Sequence, residues 1–225
     1  MATHTNEPPP IKPGETLDTS RFDYKDADTD EALIKQWEGG EWDWPDVDYS
    51  ATSQGVHVKP RRSQKTVRRR LVRNVSGQAL LPKRLVRFQD TADGVGARVD
   101  GYAIDTAEEG FPVDEFLPAA RGIPDNHLGW IVVKGPAMCL TNAESDNDNN
   151  ISSGGAVCCQ DVGASSGDPA GGRIGINNIY TSDATTNVEM AAIVAAVANN
   201  VGFAISSLAD ADSTDEDVLI EVGRY

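Results

Sequence analysis

From residue 67 onward, apolar residues come in short runs separated by turn residues, the pattern of a chain built from strands. Val67–Asn74 reads as a strand that leads into a turn at Val75-Ser76-Gly77. Residues 78–89 follow as a second apolar segment carrying Leu80, Leu81, Leu85, Val86 and Phe88. Asp93-Gly94 marks another turn, and Arg98–Asp105 predicts a strand with a bulge at Gly101. Residues 106–128 hold Pro112, Pro118 and Pro124 and read as an irregular surface excursion. Gly129–Val133 and Ala137–Thr141 flank Lys134-Gly135-Pro136, as in a hairpin or a bent strand. Ala156–Gln160 and Arg173–Ile176 predict strands joined by a Gly/Ser-rich loop, and Val201–Ser206 and Asp217–Val222 two closing strands. Residues 187–200 fit two descriptions. Ala and Met with Asn187 as cap favour a helix, whereas Ile193, Val194 and Val197 suit a strand buried on both faces.

Residues 1–60 lack that pattern and read as an extended arm, set apart from a β-rich body over 61–225. Pro8-Pro9-Pro10 and Pro13-Gly14 favour extended chain. Residues 28–38 can form one short helix, with Leu33, Ile34 and Trp37 as a narrow apolar face and Gly39-Gly40 as its stop.

Composition agrees with a mainly β, loop-rich protein. Of 225 residues 39% are hydrophobic and 6% aromatic, with 21 Gly and 12 Pro spread along the chain. No apolar run approaches the roughly 18 residues that would span a bilayer. The first residues lack the basic and apolar parts of a secretory signal, so the expectation is a protein made and kept in a cytoplasm, or released only by lysis.

Charge sharpens the division. Residues 1–48 carry a net −9, residues 49–89 a net +11 with no acid at all, and residues 90–225 a net −17, within a total of −15. The basic lead-in over 59–73 contains Arg61, Arg62, Arg68, Arg69 and Arg70. A segment of this kind asks for a negative partner: nucleic acid, or an acidic surface on this chain or a neighbour. Phosphate contacts fit the arginines, but no aromatic ring is interleaved to stack on bases. Because arm and body are both acidic, only the band can hold the arm, on its own chain or on a neighbour's. Trp37, Trp42 and Trp44 fall within eight residues of that arm. They either pack on the chain's own body or dock on a partner, where Trp is a frequent anchor.

Little points to catalysis or cofactors. Cys139, Cys158 and Cys159 form neither a disulfide framework nor a zinc pattern and read as small buried hydrophobes. Ser165-Ser166-Gly167-Asp168-Pro169 is turn chemistry, and Gly171-Gly172-Arg173-Ile174-Gly175 lacks dinucleotide-binding context. His127 has no obvious acid–base partner. Asp146, Asp148 and Asn150 match the first alternating ligands of a calcium loop. Ile151 and Val157 then stand where glycine and a bidentate glutamate belong, so a polar turn is the expectation.

Four segments resemble structural proteins of tailed-phage virions, in the decoration (cement) and minor head class. Arg73-Asn74-Val75-Ser76-Gly77-Gln78-Ala79-Leu80 is similar to their opening strand–turn–strand. Gly129–Ala137 resembles a central strand, Ile151–Val157 a return into a strand, and Val201–Ile205 with Val218–Val222 a C-terminal pair. Residues 1–60 have no counterpart. The resemblance implies a small β-barrel or β-tulip-like body that binds a shell lattice as a dimer or trimer. The expected role is a non-enzymatic protein of the capsid surface, partnered by the major capsid protein and bridging its subunits. Trp37, Trp42, Trp44 and the arginines would make the contacts, without cofactor, metal or membrane. The alternatives are a nucleic-acid-binding module using 59–73 and a fibre or spike-base protein.

Overall fold

The computed structural model describes residues 9, 11–22, 37–47, 65–92, 94–104, 109–141, 151–159, 171–176, 200–207 and 217–223. Among these described residues eleven strands run in chain order. They are β1 (Leu17–Asp18), β2 (Glu41–Pro45), β3 (Thr66–Asn74), β4 (Leu85–Phe88), β5 (Arg98–Tyr102), β6 (Phe111–Pro112), β7 (His127–Leu140), β8 (Ala156–Cys159), β9 (Ile174–Ile176), β10 (Asn200–Ala204) and β11 (Asp217–Val222). They form one mixed sheet along the path β6-β4-β5-β3-β7-β11-β10-β8-β9, with β1 added to β7 and β2 to β3. Among the named strand pairs only β3–β5 is parallel, and an isolated parallel bridge joins Thr141 to Ile174.

The centre is the β3–β7 ladder, and its geometry follows from one bent strand. Of the two readings of Lys134-Gly135-Pro136, the bent strand is the one adopted: β7 is continuous over fourteen residues. Its first part pairs with β3 as far as Lys134, and its second part, Gly135–Leu140, pairs with β11. At the bend Gly135 has φ +100°, and a Cβ there would lie 2.8 Å from the Thr66 carbonyl oxygen. Glycine is therefore the residue that lets one strand serve both halves of the sheet.

Among the described residues the sheet does not close, so the expected barrel is an open, curled sheet. Gly172, in the lead-in to β9, reaches the opposite end of the path. It accepts a hydrogen bond from Leu85 N–H (2.6 Å) and donates to the Ala103 carbonyl (2.9 Å). Arg84 Nη1 donates to the neighbouring Gly171 carbonyl at 2.8 Å. One apolar cluster fills the space the curl encloses, joining Leu85 and Ala103 to Val132, Val157, Cys159, Ile174 and Ile220. A second, with Val72, Val86, Val99, Tyr102 and Ile131, lies under the β3–β5 side.

Most predicted strands appear within a residue or two of their expected bounds. The apolar segment 78–89 is broken, however. Lys83 takes φ +66° in a turn after Pro82, leaving Leu80 bridged to Ile123 and a short β4. The irregularity in β5 falls at Asp100, beside the expected Gly101. Residues 106–128 are not a surface excursion in their described part. Val113, Asp114, Leu117 and Ile123 are buried, Val113 bridges to Ile131 of β7, and Ile123 bridges to Leu80. The prolines limit strand length there, but the apolar side chains still leave water. The helix expected over 28–38, apart from Trp37 and Glu38, and the segment 187–200, apart from Asn200, lie outside the described residues. So does the Asp146–Asn150 loop.

Gly172 and Gly77 have nearly the same φ, +79° and +77°, but only Gly172 is crowded. A Cβ at Gly172 would meet Leu85 O at 2.6 Å, whereas none lies within 4 Å at Gly77. Gly77→Ala should cost about 1 kcal/mol in urea unfolding and Gly172→Ala on the order of 3 kcal/mol. Equal losses would show that the two ends of the sheet are not held together at Gly172.

Candidate functional site: the basic strand, its arm and its groove

Alternation along β3 decides the fate of each arginine. Val67, Arg69 and Leu71 share one face, and Arg68 and Arg70 point the other way. Outside, β2 lies antiparallel on β3, with Glu41 opposite Arg70 and Asp43 opposite Arg68. The Arg68 guanidinium forks onto Asp43, Nε to Oδ1 at 2.9 Å and Nη2 to Oδ2 at 3.2 Å. Arg70 donates to Glu41 from both Nε and Nη2. Just before β2, Glu38 sits between Arg98 (3.3 Å) and Arg73 (3.7 Å). Four basic side chains of the body thus meet three carboxylates of the arm, which is the charge match the sequence asked for.

Arg69 is different. Its side chain is 1% exposed and lies 3.6 Å from the Asp114 carboxylate, itself 0% exposed. The guanidinium also stands over the Phe116 ring at 5.4 Å. Asp114 accepts a hydrogen bond from Gly14 N–H at 2.6 Å, so it ties the arm's Lys12–Glu15 turn to the inside of the body.

On the same side as Leu71, Trp130 is completely buried in a cluster with Ile11, Leu71 and Leu128. Trp42 and Trp44 meet its ring edge-to-face, with centroids 5.5 and 5.7 Å away, and Trp37 and Leu17 complete the cover. The backbone follows, with Gly39 N–H donating to the Leu71 carbonyl (2.8 Å) and Leu71 N–H to the Gly40 carbonyl (2.9 Å).

Trp37, Trp42 and Trp44 therefore pack on the chain's own body. Arg68 and Arg70 lie on the surface, engaged with the arm. Arg69 does not reach the surface, because parity places it with Val67 and Leu71, so the expectation of a partner contact there is corrected. Arg61 and Arg62 lie outside the described residues. Asp114, Trp130 and Glu38 were not singled out by sequence. The available signal was the run of acids at 38, 41 and 43 facing the run of bases at 68, 70 and 73.

Beside the paired arginines lies a groove of about 440 Å³. Phe88, Phe111 and Val133 form apolar walls, Arg68, Arg70 and Lys134 a basic rim, and Glu41 and Glu109 also line it. The Arg70 guanidinium stacks over Phe88 at 5.3 Å. Val95, at its lip, is 66% exposed.

Catalytic constellations fare poorly among the described residues. All three cysteines are free and buried; burial pushes the Cys158 thiol up to about 11 and Cys139 well above its usual value, so neither is a thiolate at neutral pH. Gly163-Ala164-Ser165-Ser166-Gly167 has the literal spacing of a nucleophile elbow and lies outside the described residues. That motif needs a helix directly after it, and Gly171 and Gly172 already lead into β9. Among the described residues no three His, Cys, Asp or Glu side chains gather as a metal site, and no helix is long and apolar enough to cross a membrane.

No family model matches the chain, and no curated protein is similar to it. Among solved structures, the N base of the head fiber of bacteriophage phi29 superposes with a TM-score of 0.36 at 9% identity. The match covers 69% of this chain and 93% of that one. So loose a superposition carries neither fold nor role from that chain to this one.

Arg69→Ala would leave Asp114 buried without its cation and should cost about 3–5 kcal/mol in denaturant unfolding. A loss below 1 kcal/mol would mean that water already reaches the pair. The hydrogen bond from Arg68 holds the Asp43 carboxyl below its ordinary value. Its contribution to stability is then full above the unfolded carboxyl value of about 3.9 and fades as pH falls through the lower folded value. Arg68→Ala should return Asp43 to the ordinary range in an NMR titration. An unchanged Asp43 would show that the fork does not form in solution.

Proposed function

We propose that this chain is a non-catalytic structural protein of a tailed-phage virion, seated on the outer face of the capsid and bridging neighbouring subunits of the major capsid protein. The observation that carries the reading is the groove beside β3. Open apolar walls of Phe88, Phe111 and Val133 next to the exposed Lys134 are a contact surface that an otherwise acidic chain can offer to another protein. Val95 at the lip supplies an exposed apolar anchor. The resemblance of four short segments between residues 73 and 222 to decoration and minor head proteins supports the same reading. Arg68 and Arg70 are held by carboxylates and Arg69 is buried, which takes three cations of the basic segment away from phosphate contacts and disfavours a nucleic-acid reading.

Removing residues 1–50 would strip β1 and β2 from the sheet and uncover Trp130, so it tests folding before it tests docking. Substitutions at the groove are cleaner. The wild-type chain should co-sediment with empty shells. Val95→Asp combined with Lys134→Glu should reduce the bound fraction at least tenfold while leaving the urea midpoint within the range of ordinary surface changes. A wild-type chain that stays in the supernatant overturns the capsid reading, and a stable oligomer that does so favours a fibre or spike base. Unaltered binding by the double variant overturns the groove as the contact.

A further inference from the structure

β2 and β3 are hydrogen-bonded neighbours, yet twenty residues, 46–65, join them. An antiparallel pair needs only about two to five connecting residues. Twenty residues extend to roughly 66 Å, while a body of this length has a radius of gyration of about 17 Å. The connection is therefore long enough for β2 to reach beyond its own chain.

The arm and its seat are also separable. The described contacts of the arm fall on residues 65–131 of the chain. They include Gly14 on Asp114, β1 on β7, Thr19 on Asn126, Glu38 on Arg73 and Arg98, Gly39 and Gly40 on Leu71, the tryptophans on Trp130, and β2 on β3. None of them requires that arm and seat belong to one chain. Charge restricts the choice of seat: a segment of net −9 is repelled by the remaining −17 of the body and attracted to the +11 band. The surface that fits this arm away from its own body is the same band on a second copy.

We propose that residues 11–22 and 37–47 form an exchangeable clasp, and that a second copy of this chain is its partner. At high local concentration the arm of one copy seats on β3, Trp130 and Asp114 of the next, by the same contacts it makes within its own chain. This goes beyond the virion reading and stands without it.

The register supplies the test. Asp43 and Arg68 are direct partners across β2 and β3. A D43C chain and an R68C chain, carrying tags of different mass, are unfolded together, refolded over a range of concentrations and oxidised. The native cysteines are buried, and burial raises the Cys139 and Cys158 thiols further, so they should stay silent. The expected result is a disulfide-linked heterodimer on a non-reducing gel, its share rising with concentration. Replacing residues 47–64 by Asn-Gly in both chains should abolish it. The proposal is overturned if no heterodimer forms at any concentration while D43C/R68C in a single chain closes its internal disulfide. It is equally overturned if the wild-type chain, refolded at the same concentrations, sediments only as a monomer.

Discussion

A strand that carries three consecutive arginines through the centre of a sheet can exist only if each charge is met where it lands. In β3 the middle arginine turns inward and the flanking two turn outward, as the pleat requires. A guanidinium buried alone would cost several kcal/mol. The Asp114 carboxylate at 3.6 Å answers it, and Asp114 is in turn held by Gly14 N–H. That one requirement draws the Pro-rich segment after β6 under the sheet and brings the Lys12–Glu15 turn down onto it. The outward arginines then require carboxylates on a neighbouring strand, and β2 supplies them at the matching register.

The energetics of the two faces differ. Arg68 and Asp43 are each about half exposed, and pairs of that kind contribute little to stability. Adhesion comes from the other face of the arm, where three indoles and Leu17 cover Trp130, Leu71 and Leu128. The ion pairs set the register instead. A slip of one residue would put Glu41 and Asp43 over the apolar cluster and Trp42 and Trp44 into water. Apolar contact fixes the arm to the body, and charge fixes where along the body it lies.

Much of this was legible in the sequence, and the failures have identifiable causes. Strands β3, β5, β8, β10 and β11 were visible because each is a short β-rich run bounded by turn residues. The three-block charge pattern said that the acidic arm and the basic band meet, on one chain or between two, and β2 does lie on the band of its own chain. The inward turn of Arg69 was also available, since Val67, Arg69 and Leu71 share parity, but a run of arginines invites a reading by charge before one by pleat. Its partner could not be found locally, because Asp114 lies 45 positions away among prolines that suggest surface chain. The bend of β7 was undecidable locally for a similar reason. Gly135 permits both a turn and a kink, and pairing of Gly135–Leu140 with β11, some eighty residues later, selects the kink.

The closure of the sheet shows the same dependence on distant partners. Nothing near Gly172 in sequence marks it as more than a loop glycine, and its role appears only when Leu85 and Ala103 converge on it. The curl that brings them there is fixed by the bend of β7, which redirects half of the strands. The bend in turn depends on Gly135 lying against Thr66, at the start of β3. The two glycines and the buried arginine therefore act on one strand ladder. Gly135 sets its angle, Arg69 ties it to the segment beneath, and Gly172 joins the two ends that this angle brings together. The shape of the candidate contact surface is thus a consequence of how β3 meets β7.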